Sequence, residues 1–269
     1  MGKQGQGFPG VALVTGASRG IGYELARLLA ADGHELVLVG RDASALAEAA
    51  KRIGAEFQVP VGIEVRDLSE PHAASRLWAE LEARGIAVDV LVNNAGSGLY
   101  GPLAAQDPDA LERMVQLNVM ALTSLTRLAL PGMLARGRGR ILNVGSVVGH
   151  QPAGPRMAGY FASKAFVVSF SRSLARELAG TGVTVTALSP GLTESSFEER
   201  SGAGRTNLYR FIPKMTAEAV ARAGYEGSMR GAARVIPGFV AKALAFAGEL
   251  PPRAVAAAVN DLLLRESRA

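Results

Sequence analysis

The sequence lacks cysteine altogether and has few histidines among its 269 residues. The absence of cysteine excludes disulfides, thiol nucleophiles and thiolate metal sites, and it fits a reducing cytoplasm, the location that we expect. The three histidines, His34, His72 and His150, are too widely spaced to predict a histidine metal cluster. We therefore expect no bound metal.

Long apolar runs and blocks of like charge are also absent. No uninterrupted apolar run approaches the roughly 18 residues that a membrane-spanning helix needs, and residues 1–10 lack the apolar core of a secretory signal. The basic excess is 29 − 24 = 5 charges, too small and too dispersed to predict a nucleic-acid partner. Hydrophobic residues make up 48% of the chain, which excludes a disordered or fibrous protein.

Apolar runs of strand length alternate with longer segments of helical period. The predicted strands are 11–15, 35–40, 57–65, 88–94, 140–146 and 183–189, and the predicted helices are 24–33, 43–53, 70–84, 108–136 and 157–179. The strands are almost continuously apolar, as in a sheet that helices cover on both faces. The pattern predicts an α/β fold with a doubly wound parallel sheet of Rossmann type.

The same pattern predicts how the chain is organised. No internal repeat or linker rich in Pro, Gly and Ser interrupts it, so residues 1–269 are expected to form a single domain, with 1–9 flexible. The polar, aromatic segment 194–214 is predicted to be a mobile flap or a small helical insertion. Residues 235–269 are predicted to form a C-terminal helical extension. Its apolar part, 235–264, either packs on the domain or lies on a membrane surface or a partner subunit, and we expect no membrane contact.

A glycine-rich turn follows the first strand directly. It contains Gly16, Ser18, Arg19, Gly20, Ile21 and Gly22 and opens a helix. Its glycines allow backbone N–H groups to approach a pyrophosphate at the helix N-terminus, where negative charge is favourable. A plain strand–helix turn is the alternative, but the position of the turn favours a nucleotide site.

The end of the second strand bears on the choice between NAD and NADP. An acidic residue there suits the ribose 2′-hydroxyl of NAD, whereas an arginine suits the 2′-phosphate of NADP. The sequence has Gly40, Arg41 and Asp42 there, and Arg19 in the glycine turn is a second cation. We expect NADP (NADPH) as the cofactor. The alternatives are that both arginines are solvated surface charges, or that Asp42 points inward and weakens the preference.

Other candidate cofactor residues follow later strands. Asp67 and Leu68 close the third strand, where an adenine amino group would lie. Asn94, Ala95 and Gly96 follow the fourth strand, where the cofactor would pass along the sheet edge.

Candidate chemical residues lie in the second half of the fold. Tyr160 and Lys164 are four residues apart on a predicted helix and therefore share one face. A free tyrosine, with a pKa of about 10, is a poor proton donor or acceptor at neutral pH, and a nearby ammonium favours its phenolate. Ser146 ends a strand and either donates to a carbonyl oxygen or serves as a cap. Asn118, inside a long helix, either joins a buried polar network or is solvated.

Together these residues closely resemble the short-chain dehydrogenase/reductase family. The matching segments, in family order over residues 11–197, are TGASRGIG at 15–22, NNAG at 93–96, Asn118, Ser146, YFASK at 160–164 and SPGLTES at 189–195. The resemblance implies a catalytic tetrad of Asn118, Ser146, Tyr160 and Lys164. It also implies that the nicotinamide carboxamide is held by Pro190, Gly191 and Thr193, with Ser195. The segments LVLVGRD, LPGM and ASKAFVVSFSRSL resemble an NADP-linked subgroup of mostly unassigned substrate.

The resemblance implies a carbonyl reductase or alcohol dehydrogenase that transfers hydride between NADPH and a ketone, aldehyde or secondary alcohol. Tyr160 would protonate the oxygen, Ser146 would orient it, Lys164 would bind the ribose and stabilise the tyrosinate, and Asn118 would carry a water. The alternatives are a fatty-acyl or steroid-type keto reductase and, against the intact tetrad, a nucleotide-sensing protein on the same fold. The expected partners are a small-molecule substrate and further copies, since the long helices resemble the family's dimer and tetramer faces.

Several remaining residues have two interpretations. His150, four residues after Ser146, either borders the substrate or is solvated. The aromatic residues near the site either line an apolar substrate pocket or pack the flap, and they are Tyr100, Phe197, Tyr209 and Phe211. Trp78 is expected in the core.

Overall fold

The computed structural model describes residues 10–194, 197–250 and 253–264. The predictions for residues 1–9 and for Ser195 lie outside these ranges. Within them, parallel strands form one sheet, and the strands are β1 (Val11–Thr15), β2 (Glu35–Gly40), β3 (Val61–Val65), β4 (Val88–Asn93), β5 (Gly139–Val144), β6 (Val183–Leu188) and β7 (Arg234–Val235). Their order is β3-β2-β1-β4-β5-β6-β7.

Helices cover both faces of this sheet. They are α1 (Gly20–Ala31), α2 (Ala43–Phe57), α3 (Ala73–Ala83), α4 (Pro108–Val115), α5 (Leu122–Ala135), α6 (Ala158–Glu177), α7 (Phe197–Ser201), α8 (Asn207–Phe211), α9 (Ala217–Met229), α10 (Phe239–Glu249) and α11 (Arg253–Leu263). Alternate strand residues face opposite sides. Leu13 packs in the cluster that includes Leu77 of α3, whereas its neighbour Val14 packs in the cluster that includes Leu25 of α1. The doubly wound Rossmann-type sheet is therefore confirmed.

The strand order determines where a ligand can bind. The chain moves outward from β1 to β3, then returns to place β4 on the other side of β1. Ligands in such sheets bind beyond the carboxyl ends of the strands at this reversal. Thr15 ends β1 and Asn93 ends β4, so the glycine turn and the NNAG segment meet there.

Some element boundaries differ from those predicted. Helix α1 begins at Gly20, before its apolar pattern starts, because the glycine turn supplies its first residues. The third strand begins at Val61 rather than at 57, since α2 continues to Phe57 and Gln58 then adopts a left-handed conformation with φ 58°. This strand lies at one edge of the sheet. Strand β7, which has only two residues, was not predicted, and neither was helix α9.

The long helix predicted at 108–136 contains α4, α5 and one π-helical turn, Gln116–Ala121. By length and composition this helix could cross a membrane. The search for an uninterrupted apolar run missed it, because polar residues interrupt its sequence. In this fold, however, Leu125, Ala129 and Met133 are buried in the cluster beneath the sheet, as in a core helix.

The two irregular segments are helical where they are described. Short helices, α7, α8 and a 3-10 turn at Ala203–Arg205, occupy the stretch predicted as a flap or helical insertion. Helix α10 of the C-terminal extension packs Ala241 and Ala245 against Val147, while Phe239 is 85% and Phe246 65% exposed. The interpretation as a packed helix therefore holds for α10, whose outer side remains apolar.

Candidate active site

A cavity of about 870 Å³ lies at the carboxyl ends of the central strands. It brings together most of the predicted site residues: Gly16, Ser18, Arg19, Gly20, Ile21, Arg41, Asp67, Leu68, Asn94, Ala95, Gly96, Ser146, Tyr160, Lys164, Pro190, Gly191 and Thr193. Gly22 and Asn118 do not line it. Both lie directly beneath its wall, where they support residues that do.

The glycine turn is built for close backbone approach. A Cβ at Gly22 would overlap the carbonyl oxygen of Gly16, so a side chain there would distort the turn. Gly16 itself has φ +65°, a conformation that other residues rarely adopt. Arg19, at the N-cap of α1, makes no capping hydrogen bond, so the first-turn N–H groups of α1 have no side-chain acceptor there. These features fit the phosphates of a dinucleotide.

Asn94 fixes this turn to the end of β4. Its side-chain Nδ2 donates to the carbonyl oxygens of Thr15, at 2.9 Å, and Gly16, at 3.1 Å. In return, Thr15 Oγ1 accepts from the backbone N–H groups of Asn94 and Ala95. The floor of the cavity is therefore held by side-chain hydrogen bonds between the two central strands.

Two arginines lie at the end of β2. Arg19 Nη2 is 3.3 Å from Asp42 Oδ2, and Arg41 Nη1 is 3.9 Å from Asp67 Oδ2. The other Asp42 oxygen, Oδ1, accepts from the N–H of Ala45 and the hydroxyl of Ser44. The N–H of Ala45 is the largest cause that lowers the Asp42 pKa. Both carboxylate oxygens of Asp42 are thus engaged by the protein itself.

The end of β3 has a similar arrangement. Asp67 Oδ1 accepts from the N–H of Ser69 at 2.9 Å and from its hydroxyl at 2.6 Å. Burial would raise the Asp67 pKa, but the Ser69 bonds and Arg41 together lower it. Sequence reasoning missed further cations that line the cavity, among them Arg66 and Arg113. Arg66 directly precedes Asp67 and was detectable, whereas nothing in the sequence near Arg113 pointed to this site.

Tyr160 lies near the N-terminus of α6 and is buried in an apolar cluster. Burial raises its pKa to about 12, and a hydrogen bond with Ser146 opposes that rise. Ser146 also accepts from the N–H of Val148 at 3.3 Å, as the cap of the 3-10 turn Val147–His150. The interpretation of Ser146 as a cap is therefore confirmed, and its donation to a carbonyl oxygen stays a prediction.

Lys164 is one helical turn further along α6. Its Nζ donates to the carbonyl oxygen of Val144 at 2.9 Å and lies 5.9 Å from the centroid of the Tyr160 ring. Burial lowers the Lys164 pKa to about 8. Near neutral pH the site thus holds a neutral phenol beside an ammonium group.

Asn118 is buried within the π-helical turn. Its Oδ1 accepts from the N–H of Ser97 at 3.0 Å, and its Nδ2 donates to the carbonyl oxygen of Ser97 at 2.9 Å and to Ser163 Oγ at 3.0 Å. Asn118 therefore belongs to a buried network rather than to a solvated surface. This network fixes the segment that follows Gly96.

The residues after β6 form the opposite wall. The carbonyl oxygen of Pro190 accepts from the N–H of Val147 at 2.8 Å, and Thr193 Oγ1 donates to the carbonyl oxygen of Gly191 at 3.2 Å. Thr193 also pairs with Met215. These contacts join the Ser146 turn, this wall and the helical insertion.

His150 occupies neither of its predicted positions. It is buried, its Nε2 is 3.0 Å from Ser189 Oγ, and its Nδ1 is 2.9 Å from Glu249 Oε1. It does not line the cavity that contains Tyr160. Instead it connects the turn after β5 with the end of β6 and with helix α10.

The candidate aromatic residues separate into different groups. Phe197 and Tyr209 line the cavity, and the Phe197 ring lies 5.2 Å from that of Tyr160. Tyr100 does not line it, and its hydroxyl donates to the carbonyl oxygen of Leu264 at 2.7 Å. The side chain of Phe211 lies outside the described set. Trp78 is in the core, as expected.

The glycine turn at a strand-order reversal and the Tyr160–Lys164 pair define a dinucleotide-dependent oxidoreductase. A family model described as short chain dehydrogenase matches residues 10–206. The chain belongs to this family, whose members are NAD(P)-dependent and act on small molecules.

Individual relatives agree with this assignment. An NADP-dependent 3-hydroxy acid dehydrogenase of Salmonella typhi is 37% identical over 221 residues, which cover 78% of this chain and 87% of the relative. A short-chain dehydrogenase of Sphingobium yanoikuyae, solved in complex with NADPH, is 33% identical with a TM-score of 0.79 and covers 97% and 98% of the two chains. A bulky-bulky ketone specific alcohol dehydrogenase of Comamonas testosteroni is 31% identical, with a TM-score of 0.75 and 86% of each chain covered.

Proposed function

We propose that this protein is an NADPH-dependent carbonyl reductase that reduces a ketone or aldehyde and, in reverse, oxidises a secondary alcohol. The observation that carries the proposal is the Tyr160 hydroxyl, hydrogen-bonded to Ser146 and one helical turn from Lys164, in the cavity that also contains the glycine turn. When bound, the cofactor supplies the hydride.

The chain's own residues supply the proton and the electrostatic stabilisation. Tyr160 is neutral at working pH, because its pKa is raised to about 12, and it donates its proton to the substrate oxygen. Ser146 donates a second hydrogen bond that orients this oxygen. The Lys164 ammonium stabilises the negative charge that develops on the Tyr160 oxygen and binds the nicotinamide ribose.

The remaining predicted residues hold the cofactor. The turn from Gly16 to Gly22 binds the pyrophosphate, Asp67 and Leu68 border the adenine, Asn94, Ala95 and Gly96 line its path, and Pro190, Gly191 and Thr193 hold the carboxamide. Arg19 and Arg41 favour NADP, because both are cations at the end of β2. The NADP dependence of the Salmonella relative and the NADPH in the Sphingobium structure support this choice.

Asn118 has a different role in this proposal. All of its side-chain hydrogen bonds are to Ser97 and Ser163, so the amide acts as a positioning group for the wall beside Lys164. The water predicted at Asn118 would then bind to its backbone carbonyl.

The wider assignments are also proposals. The chain forms one domain and works in the cytoplasm as a homo-dimer or homo-tetramer. A keto reductase for apolar substrates is the second candidate, favoured by the aromatic residues beside Tyr160 and by the ketone specificity of the Comamonas relative. A nucleotide sensor is disfavoured, because it needs no buried Tyr160–Lys164 pair.

The test is Tyr160→Phe, assayed for NADPH oxidation with a panel of ketones and aldehydes. The variant is expected to lose at least about 100-fold in kcat, the usual contribution of a general acid, and to bind NADPH within a few-fold of wild type. Lys164→Ala is the matched comparison and should weaken both turnover and NADPH binding. A Tyr160→Phe enzyme that keeps more than a tenth of wild-type kcat would refute the assignment.

A further inference from the structure

The part of the cavity around Tyr160 is apolar. We call it the substrate lobe and define it by Met157, Phe161, Phe197, Leu208, Tyr209 and Leu264, which line the cavity and pack in one cluster with Tyr160. Residues from the helical insertion and from the end of the C-terminal extension thus cover the reacting hydroxyl. A substrate bound here contacts mainly hydrocarbon and aromatic groups.

Two lysines line the cavity near the substrate lobe, and both are already engaged. Lys214 lines the cavity, forms an ion pair with Glu198, and lies 5.4 Å from the centroid of the Tyr209 ring. Lys164 is the buried ammonium of the reaction itself. Among the described residues that line the lobe, no further cation is available for the carboxylate or sulfonate of a small acidic substrate. The lobe therefore favours an uncharged molecule.

The amide side chains at the edge of the lobe are also engaged. Gln151 donates to the carbonyl oxygen of Leu244 at 2.6 Å and accepts from Asn260 at 3.2 Å. Asn260 donates as well to the carbonyl oxygen of Ala153 at 2.7 Å. These bonds hold the wall together and engage both amide side chains within the protein.

The Tyr209 hydroxyl is different. It lies close enough to Tyr160 and Glu198 for electrostatic interaction, and burial raises its pKa, so it stays a neutral donor. It has no hydrogen-bond partner among the described residues. Two half-buried tyrosines elsewhere do have partners, since Tyr100 donates to the carbonyl oxygen of Leu264 and Tyr225 interacts with Asp32. Because Tyr209 is half-buried and lines the cavity, its hydroxyl is open to a ligand bound in the substrate lobe.

We propose that Tyr209 is a specificity-determining residue that donates a hydrogen bond to a second, neutral oxygen of an otherwise apolar ketone. The substrate class is then an uncharged carbonyl compound with an ester, amide, hydroxyl or second keto oxygen a few atoms from the reacting carbonyl. This inference rests on the proposed reductase function and deepens it.

The test compares three matched substrate types in the NADPH assay. Each has an eight-carbon chain with the ketone at the second, third or fourth carbon, and the types are the ethyl keto ester, the free keto acid and the plain ketone. The wild type should use the best keto ester more efficiently than the corresponding plain ketone, and the keto acid least. Tyr209→Phe should lower kcat/KM for that keto ester about tenfold, mainly through KM, and leave the plain ketone within twofold.

Tyr225→Phe is the control, because it removes the hydroxyl of a tyrosine on α9, far from the cavity. It should leave kcat/KM unchanged for both the keto ester and the plain ketone. If Tyr209→Phe lowers kcat/KM equally for the keto ester and the plain ketone, or lowers neither, the role of Tyr209 is overturned. A preference for the keto acid, or no turnover of any of the three types, would overturn the substrate class. The reductase function stands or falls separately, on the Tyr160→Phe result with the wider panel.

Discussion

Arg19 of the glycine turn and Asp42 at the N-cap of α2 form an ion pair with 3.3 Å between Nη2 and Oδ2. Their side chains are 51% and 46% exposed, so the pair contributes little to folding stability. Its effect is on geometry, because it holds the Arg19 guanidinium over the end of β2, next to Arg41. One alternative from the sequence was that Asp42 points inward and weakens the NADP preference. In the structure, Asp42 instead pairs with Arg19, one of the two candidate phosphate ligands.

We expect the Arg19→Ala, Arg41→Ala double variant to lose its NADPH preference. Each charge-assisted contact to the 2′-phosphate is worth about 1.5–3 kcal/mol, and solvent exposure reduces this, so the ratio of kcat/KM for NADPH over NADH should fall about 10- to 100-fold. The measurement is steady-state kinetics with both cofactors at fixed ionic strength. Gly40→Asp is a less clean probe, since its Cβ would lie 3.3 Å from Leu46 Cδ1. Wild-type use of NADH equal to that of NADPH would contradict the prediction.

Two substitutions of Asp42 distinguish its positioning of Arg19 from its capping of α2. Asp42→Asn keeps an oxygen that can accept from Ala45 but removes the charge that holds Arg19. It should lower the NADPH preference several-fold with little change in stability. Asp42→Ala should add about 1 kcal/mol of destabilisation through the lost cap, seen in urea unfolding. Equal cofactor preference in wild type and Asp42→Asn would show that Arg19 needs no anchor.

The pH dependence of cofactor capture should report Lys164. Its pKa in the cofactor-free protein is about 8, so the ammonium loses its proton as pH rises through that value, while Tyr160 stays neutral up to about 12. We expect kcat/KM for NADPH, which reflects the free enzyme, to be constant below pH 7 and to decline above pH 8. In Lys164→Arg the decline should be absent, because the guanidinium stays protonated. A decline at the same pH in that variant would assign it to another group.

Asn118→Ala and Asn143→Ala should lower the free energy of unfolding by similar amounts but differ in their effect on kcat. Both asparagines are buried and hydrogen-bonded, but Asn118 holds Ser97 in the cavity wall, whereas Asn143 bonds to Asn93 and Ser171 within the core. Each replacement should cost about 1–3 kcal/mol in urea unfolding. Only Asn118→Ala should lower kcat more than tenfold under conditions where both variants are folded. Similar kcat values would remove the positioning role.

His150→Ala should destabilise the protein by about 2–4 kcal/mol, because it leaves Ser189 Oγ buried without its ring partner and opens a space beneath α10. Glu249→Gln should cost less, since Glu249 is 38% exposed and also faces Arg172 and Arg234. Thermal unfolding of both variants gives the comparison. A larger loss in Glu249→Gln would show that the ion pairs, not the buried ring, hold α10 in place.

The fold and the list of cavity residues were largely accessible from the sequence, because buried strands and the glycine turn are local patterns. The role of His150 was not, since its partners Ser189 and Glu249 lie 39 and 99 residues away. The two-residue β7 was likewise beyond prediction, because its pairing with β6 depends on the sheet rather than on its own sequence. Tyr209 was recognised as an aromatic of the insertion, but only the folded chain shows that its hydroxyl lines the cavity with no hydrogen-bond partner among the described residues.

The π-helical turn that contains Asn118 has one residue more than an α-helical turn would need. Deleting a single residue there, such as Val119, would let the segment return to regular α-helix. Because each α-helical residue turns the chain by about 100°, α4 would then be rotated by about that angle relative to α5. Met114, now buried against Tyr160, would be carried out of the cavity wall. One inserted residue thus sets the rotation of α4 relative to α5, and with it the side chains that α4 presents to the substrate. Homologues that align with a gap at 116–121 should therefore differ in substrate more than in cofactor.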